Sequence, residues 1–141
     1  MKKILLIVIC LVSFNVIVAN QSESYTIEKI ISVYDGDTFR ADIKGLPDII
    51  GKNIAIRILG IDTPEIKGKC KKEKIIAIKA REFTRKSLFN AKTITLKNLK
   101  RDKYFRLLAD VYYDDTDLAN ALLVNNLAVK YSGKKKSSWC K

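Results

Sequence analysis

At 141 residues the chain is long enough for one domain with a real core and short for two, and a hydrophobic fraction of 48% excludes an intrinsically disordered chain. Lysine and arginine outnumber aspartate and glutamate by 27 to 15, a formal charge of +12; this points to a polyanionic partner such as nucleic acid, an anionic envelope polymer or a membrane surface, with a merely solvated lysine-rich surface as the plain alternative. Histidine is absent, which excludes Ser-His-Asp hydrolysis, histidine-based nuclease chemistry and the usual zinc sites.

The first stretch, MKKILLIVICLVSFNVIVAN, sets Lys2 and Lys3 before an apolar run over 4–12 and reaches Ala19 through a looser segment. This grammar predicts a signal peptide over 1–19. What remains, 20–141, reads as a single domain with a basic tail at about 132–141, carrying +10 once Lys2 and Lys3 are lost. The expectation is an exported protein, secreted or periplasmic, monomeric and without stable membrane association after processing. Retention of the segment as the anchor of a basic envelope protein is the alternative. Cys10 falls in the discarded segment, and export leaves Cys70 and Cys140 where disulfides persist. A pair is the economical reading; two unpaired thiols remain the other, because sequence does not place the two Cβ atoms.

Two short strands are expected over 25–34 and 38–43, joined by an acidic Asp-Gly turn. Phe39, Ala41 and Ile43 alternate with Thr38, Arg40 and Asp42, which sets Asp37 on the inward side at the start of the second strand. KGLPDIIGKN carries Gly45, Pro47 and Gly51 and reads as a loop. A third strand follows over 53–61. Over 72–88 the period changes to about 3.6, with Ile76, Ala80 and Phe83 in register, and predicts the one long helix. Strand character returns in AKTITLKNLKRD and YFRLLADVYY as a hairpin around KRDK. A shorter helix fits 118–124, LAVKY follows, and SGKKKSSWCK closes the chain. Five short strands with one long and one or two short helices make an α+β, mainly β protein, for which a five-stranded Greek-key barrel of the OB type is the natural candidate.

Acidic side chains cluster where these elements end: Asp35 and Asp37 at the first turn, Asp62 and Glu65 after the third strand. Acids at loop ends form an oxygen-rich pocket suited to a hard cation such as Ca²⁺ or Mg²⁺. Asp-Gly is also ordinary turn chemistry, and Pro64 is explicable as a strand stop. Arg57, inside IRILGI, must pair with something or reach a barrel mouth; a structural salt bridge to Asp62 or Glu65 is the simpler account. Phosphodiester hydrolysis would use these types together. Two guanidinium forks and a divalent cation neutralise the extra charge of a five-coordinate phosphorus, and Glu65 can orient and deprotonate the attacking water.

DGDT at 35–38, RILGIDTPE at 57–65 and RDKYFR at 101–106 resemble, in order and character, the staphylococcal nuclease (thermonuclease) family, and the likeness extends over roughly 25–131. The resemblance implies an OB-fold and a Ca²⁺-dependent nuclease that hydrolyses DNA and RNA by water attack, leaving 3′-phosphorylated products. It implies Asp37, Asp62 and the carbonyl of Thr63 as calcium ligands, Asp35 as an acid behind them, and Glu65 as general base. Arg57 and Arg106 would clamp the phosphate, and Lys103 and Tyr104 would hold a terminal phosphate. The alternative is a non-catalytic OB-type module that binds nucleic acid through its basic surface. The family usually has glycine where Phe105 stands; if that glycine supports an unusual backbone angle, Phe105 shifts Arg106. The chain also lacks a counterpart to the long C-terminal helix of the best-known member, and SSWCK closes that end instead, with Cys140 tied back to Cys70.

Overall fold

The structure, a computed structural model, describes residues 23–140, so the leader expected over 1–19 lies outside the described residues. Alternation dictates the first hairpin. In β2 (Thr38–Ile43), Phe39, Ala41 and Ile43 are buried while the residues between them are not, and this strand pairs antiparallel with β1 (Ser24–Val33). Two register shifts, between Ile27 and Lys29 and between Ile30 and Ser32, bend β1. That bend lets one strand serve two neighbours, β2 at one end and β5 (Ile94–Arg101) at the other.

β3 (Ile54–Ile58) continues antiparallel from β2, and β6 (Leu107–Tyr113) pairs antiparallel with β5. The ring closes through a parallel pairing of β3 with β6, Ile56 opposite Leu107 and Ile58 opposite Ala109. The result is the expected five-stranded barrel, mainly β, with three helices. Its interior is filled by Phe39, Ile56, Ile58, Leu96 and Val111, all essentially inaccessible to water. Each such side chain contributes roughly 1.5–3 kcal/mol of burial.

Three local expectations need correction. KGLPDIIGKN is not all loop, since α1 (Asp48–Gly51) makes one helical turn immediately after Pro47. The third strand does not run to 61. Gly60 adopts φ of 77°, the chain turns there, and a separate β4 (Ile61–Asp62) pairs with β8 (Val129–Lys130). The strand after KRDK starts at Leu107 rather than Tyr104, because 102–106 is spent on a turn described below. Another short strand, β7 (Thr116–Asp117), extends the sheet beside β6.

The long helix, α2 (Lys71–Asn90), exceeds its expected bounds at both ends. Its buried stripe is Glu73, Ala77, Ala80, Thr84 and Leu88, with Ile76 and Phe83 only partly covered at its margins. Small residues dominate this face, so the helix backbone sits close to the barrel. α3 (Leu118–Val124) matches its expected span. Asp117 caps it by accepting from the Asn120 N–H at 3.1 Å, and Leu118 and Leu122 are buried in the core. Among the described residues no helix is long and apolar enough to cross a membrane.

Candidate active site

The acidic turn between β1 and β2 is held in place by the helix behind it. A Cβ at Gly36 would lie 2.7 Å from the Ala80 Cβ and 2.8 Å from Thr63 Cγ2, so only glycine allows this approach. Thr84 Oγ1 donates to the Gly36 carbonyl at 2.6 Å. Clamped in this way, the turn buries both its acids. Asp35 Oδ1 accepts the Asp37 N–H at 3.1 Å, while Asp37 accepts from Thr38 Oγ1 at 2.9 Å and from the Thr63 N–H at 3.0 Å. The Asp37–Thr63 bond ties the two acidic segments together across 26 residues. Burial, and then the charge of Asp37, push the Asp35 carboxyl up to about 7.

Arg57 reaches both segments. Its side chain is only 8% exposed, with Nη1 at 2.8 Å from Asp37 Oδ2 and Nη2 at 3.2 Å from Asp62 Oδ1, and Nη2 also donates to the Ile61 carbonyl at 3.3 Å. The salt bridge foreseen to Asp62 is therefore present; the partner beside it is Asp37, not Glu65. The Tyr131 ring covers the guanidinium at 5.6 Å. Asp62, at 2% exposure, is shared by a second cation: Lys136 Nζ lies 2.9 Å from Asp62 Oδ1 and 2.7 Å from Glu65 Oε1. Burial raises the Asp62 pKa against the opposing pull of Lys136 and Arg57. Partial burial opposes the charge on Lys136, but Glu65 and Asp62 outweigh it and raise its pKa.

The third block forms a turn organised by Asp102, a residue that the sequence alone does not single out. Asp102 Oδ1 accepts the N–H groups of Tyr104 at 2.8 Å and Arg106 at 3.0 Å, and Oδ2 accepts Arg106 Nε at 2.8 Å. These donors outweigh burial and hold the Asp102 carboxyl below its ordinary value. Two cations lie near the exposed Tyr104 ring, Lys103 Nζ at 5.1 Å and Arg106 Cζ at 5.5 Å from its centroid. Phe105 adopts φ of 62°, the left-handed conformation that glycine tolerates best, and its side chain stands in solvent. The turn accepts this strain and keeps Arg106 against Asp102. Phe105→Gly should relieve about 1–2 kcal/mol of backbone strain, against about 0.5–1 kcal/mol of added chain entropy. We expect the variant's denaturant-derived stability to equal or exceed the parent's by up to about 1 kcal/mol; a loss of stability would show that the Phe105 ring contributes packing in the turn.

One open cleft of about 630 Å³ brings most of these side chains together. Asp35, Asp37, Arg57, Glu65, Lys103, Tyr104 and Arg106 line it, joined by Tyr131 and Lys136. Asp62 and Thr63 are not on its wall; both are buried behind it, and Asp62 meets the cleft through Lys136. Cys70 and Cys140 are joined in a disulfide, Cα to Cα 5.9 Å; neither lines the cleft, and Cys140 Sγ lies 3.5 Å from the Glu73 carboxylate. Closing a 70-residue separation contributes up to about 4 kcal/mol by chain entropy.

The profile of the staphylococcal nuclease homologues matches residues 55–139, well over half of the chain. The chain belongs to this family. A probable endonuclease of Schizosaccharomyces pombe is 33% identical over 93 residues, covering 61% of the chain and 40% of that protein. An uncharacterized endonuclease of Haemophilus influenzae is 30% identical over 130 residues, covering 92% of the chain and 65% of that protein. The chain thus spans 40% and 65% of the lengths of these two relatives. The family match begins at Ala55, so it includes Arg57, Asp62, Glu65 and Arg106 and excludes Asp35 and Asp37.

The calcium that the family likeness implies requires hard oxygen donors, and Asp37, Asp62 and the Thr63 carbonyl supply that chemistry. Two observations support the fit. Thr63 Oγ1 is buried with no hydrogen-bond partner among the described residues, and Asp62, with Glu65, already draws a cation, the Lys136 ammonium. The acids are not gathered tightly. Among the described residues, the one group of three or more Cys, Asp or Glu whose ligand atoms lie within 4.8 Å of one another is Cys70, Glu73 and Cys140, and its cysteines are engaged in the disulfide.

Glu73 and Lys136 are two further residues that the sequence does not single out. Buried in the first turn of α2, Glu73 accepts the Lys69 N–H at 2.8 Å and the Glu65 N–H at 3.4 Å, fastening the loop that carries Glu65. A Cβ on Gly68 would lie 2.5 Å from its carboxyl carbon, so a larger residue there would push this carboxylate aside. An acid at a helix start reads as a dipole partner, which hid the role of Glu73. Lys136 was hidden in the same way, as one lysine of a tail that reads as solvated.

Proposed function

We propose that the chain is an exported, Ca²⁺-dependent nuclease that cleaves DNA and RNA by water attack and leaves 3′-phosphorylated products. The observation that carries this reading is the single cleft in which Glu65, Arg57 and Arg106 meet, with Asp37 beside them and Asp62 directly behind. Asp37, Asp62 and Thr63 would hold the calcium, which supplies positive charge against the developing charge on phosphorus. Glu65, half exposed on the cleft wall, holds and deprotonates the attacking water. Arg57 and Arg106 bind the phosphate oxygens, each oriented by its own carboxylate, Arg57 by Asp37 and Asp62 and Arg106 by Asp102. Lys103 and Tyr104, on the exposed turn, fit a terminal phosphate and its sugar. Asp35, in the same turn, orients Asp37 by accepting its N–H.

The signal-peptide grammar over 1–19 supports export to periplasm or medium, with the domain occupying 20–141 and acting as a monomer in this proposal. The deciding assay incubates purified mature protein with single-stranded DNA in added Ca²⁺ or in a chelator. Cleavage that requires Ca²⁺ and leaves 3′-phosphate ends is the expected result. DNA binding without cleavage in either condition would leave the basic binding module standing.

A further inference from the structure

The C-terminal tail is fastened at both ends. The Tyr131 N–H donates to the Gly60 carbonyl at 2.9 Å, and Cys140 is bonded to Cys70 at the start of α2. Between these anchors the backbone is shaped locally: Tyr131 Oη donates to the Lys134 carbonyl at 2.9 Å, and Gly133 takes φ of 86°. Midway along this strap, Lys136 turns back into the acid cluster and bridges Asp62 and Glu65 at 2.9 and 2.7 Å. A tail held only by solvation would not bring one ammonium to two acids 71 and 74 residues away in sequence.

We propose that Lys136 is a tethered internal cation of the active site: it occupies the acid cluster until a divalent cation displaces it, and the Cys70–Cys140 disulfide sets its effective concentration there. This rests on the reading above that Asp37 and Asp62 hold the metal. The physical reason is competition for the same charge. Asp62 Oδ1 faces Arg57 and Lys136 together, so a cation arriving at Asp62 meets a site already partly neutralised. Arg57 is locked behind by Asp37, whereas Lys136 is 47% exposed on a strap and can withdraw. Apparent metal affinity then falls by the fraction of molecules in which the ammonium is seated. Tethering keeps that fraction high, because an intramolecular partner acts at an effective concentration set by its linker. Solvent exposure screens the pair and keeps the effect moderate.

The test is titration calorimetry of Ca²⁺ into the full mature chain, comparing the parent with Lys136→Met, which keeps the aliphatic stem and removes the charge. Lys136→Met should bind Ca²⁺ on the order of fivefold tighter than the parent when both are oxidised. Reduction with a dithiol should tighten binding in the parent and leave Lys136→Met unchanged. Equal or weaker binding in the oxidised variant overturns the displacement alone. If neither protein binds Ca²⁺, with or without a nucleotide bisphosphate, the metal assignment itself fails and the displacement with it. A variant that loses affinity for the nucleotide bisphosphate, without gaining any for Ca²⁺, would make Lys136 a phosphate ligand instead. Should reduction unfold the parent, the comparison of the two oxidised proteins still decides.

Discussion

Glu65→Gln should lower turnover on single-stranded DNA by about 10²- to 10⁴-fold, the scale for loss of a general base, with much smaller loss of substrate binding. The substitution keeps the shape of the side chain and removes the group that accepts the water's proton. Structure predicts little collateral damage. The Glu65 side chain is 49% exposed, its charge partner Lys136 is itself half in solvent, and its loop is held through the backbone N–H by Glu73 rather than through its carboxylate. Thermal melting of the variant should therefore nearly match the parent. Single-turnover rates that are the same in both proteins would remove Glu65 from the mechanism. A fall in rate accompanied by a large fall in melting temperature would assign it to the fold.

Much of the barrel was legible because its physics is local. β2 alternates cleanly, α3 begins at a capping aspartate, and the span of each follows from pattern alone. The closing contact was not legible, since a parallel pairing of β3 with β6 joins residues about 50 apart and leaves no short-range signal. The break at Gly60 looked like a continuous apolar run, IRILGI, because periodicity does not report φ. α2 shows a subtler failure. Helical spacing drew attention to Ile76, Ala80 and Phe83, yet of these only Ala80 is fully buried; the face against the barrel is Glu73, Ala77, Ala80, Thr84 and Leu88, with Gly36 packed closely on Ala80.

The site divides along the same line. Residues inside short blocks, such as Asp35, Asp37, Arg57, Glu65 and Arg106, share one cleft. Residues that hold those blocks in place were not legible: Asp102, inside the third block, organises its turn through backbone bonds that no pattern reports, Glu73 fastens the Glu65 loop from the following helix, and Lys136 acts across 71 residues. The replacement of the family glycine by Phe105 looked like a threat to Arg106. The turn instead holds Phe105 left-handed, because three bonds to Asp102 fix the backbone and side chain on either side of it.

Arg57→Lys is the second variant with a large expected effect, and it decides between the two accounts of this arginine. Its fork spans Asp37 and Asp62 at 2.8 and 3.2 Å, in a place where neither acid has much water. An ammonium is a point charge and cannot reach both acids while presenting a planar face to phosphate. One acid is then left poorly compensated, and breaking a buried pair in this way costs up to about 3–5 kcal/mol, less here because a positive charge is retained. If Arg57 also clamps phosphate in the transition state, turnover should fall by at least about 10²-fold, on the scale of removing one preorganised donor to developing charge. Stability and rate separate the cases. A denaturant titration shows how much of the protein is folded under assay conditions, and the rate is then referred to the folded fraction. Turnover per folded molecule equal to the parent's, with stability lowered, would make Arg57 a structural bridge between the two acidic segments. A rate loss that persists per folded molecule, with KM little changed, assigns its fork to the transition state.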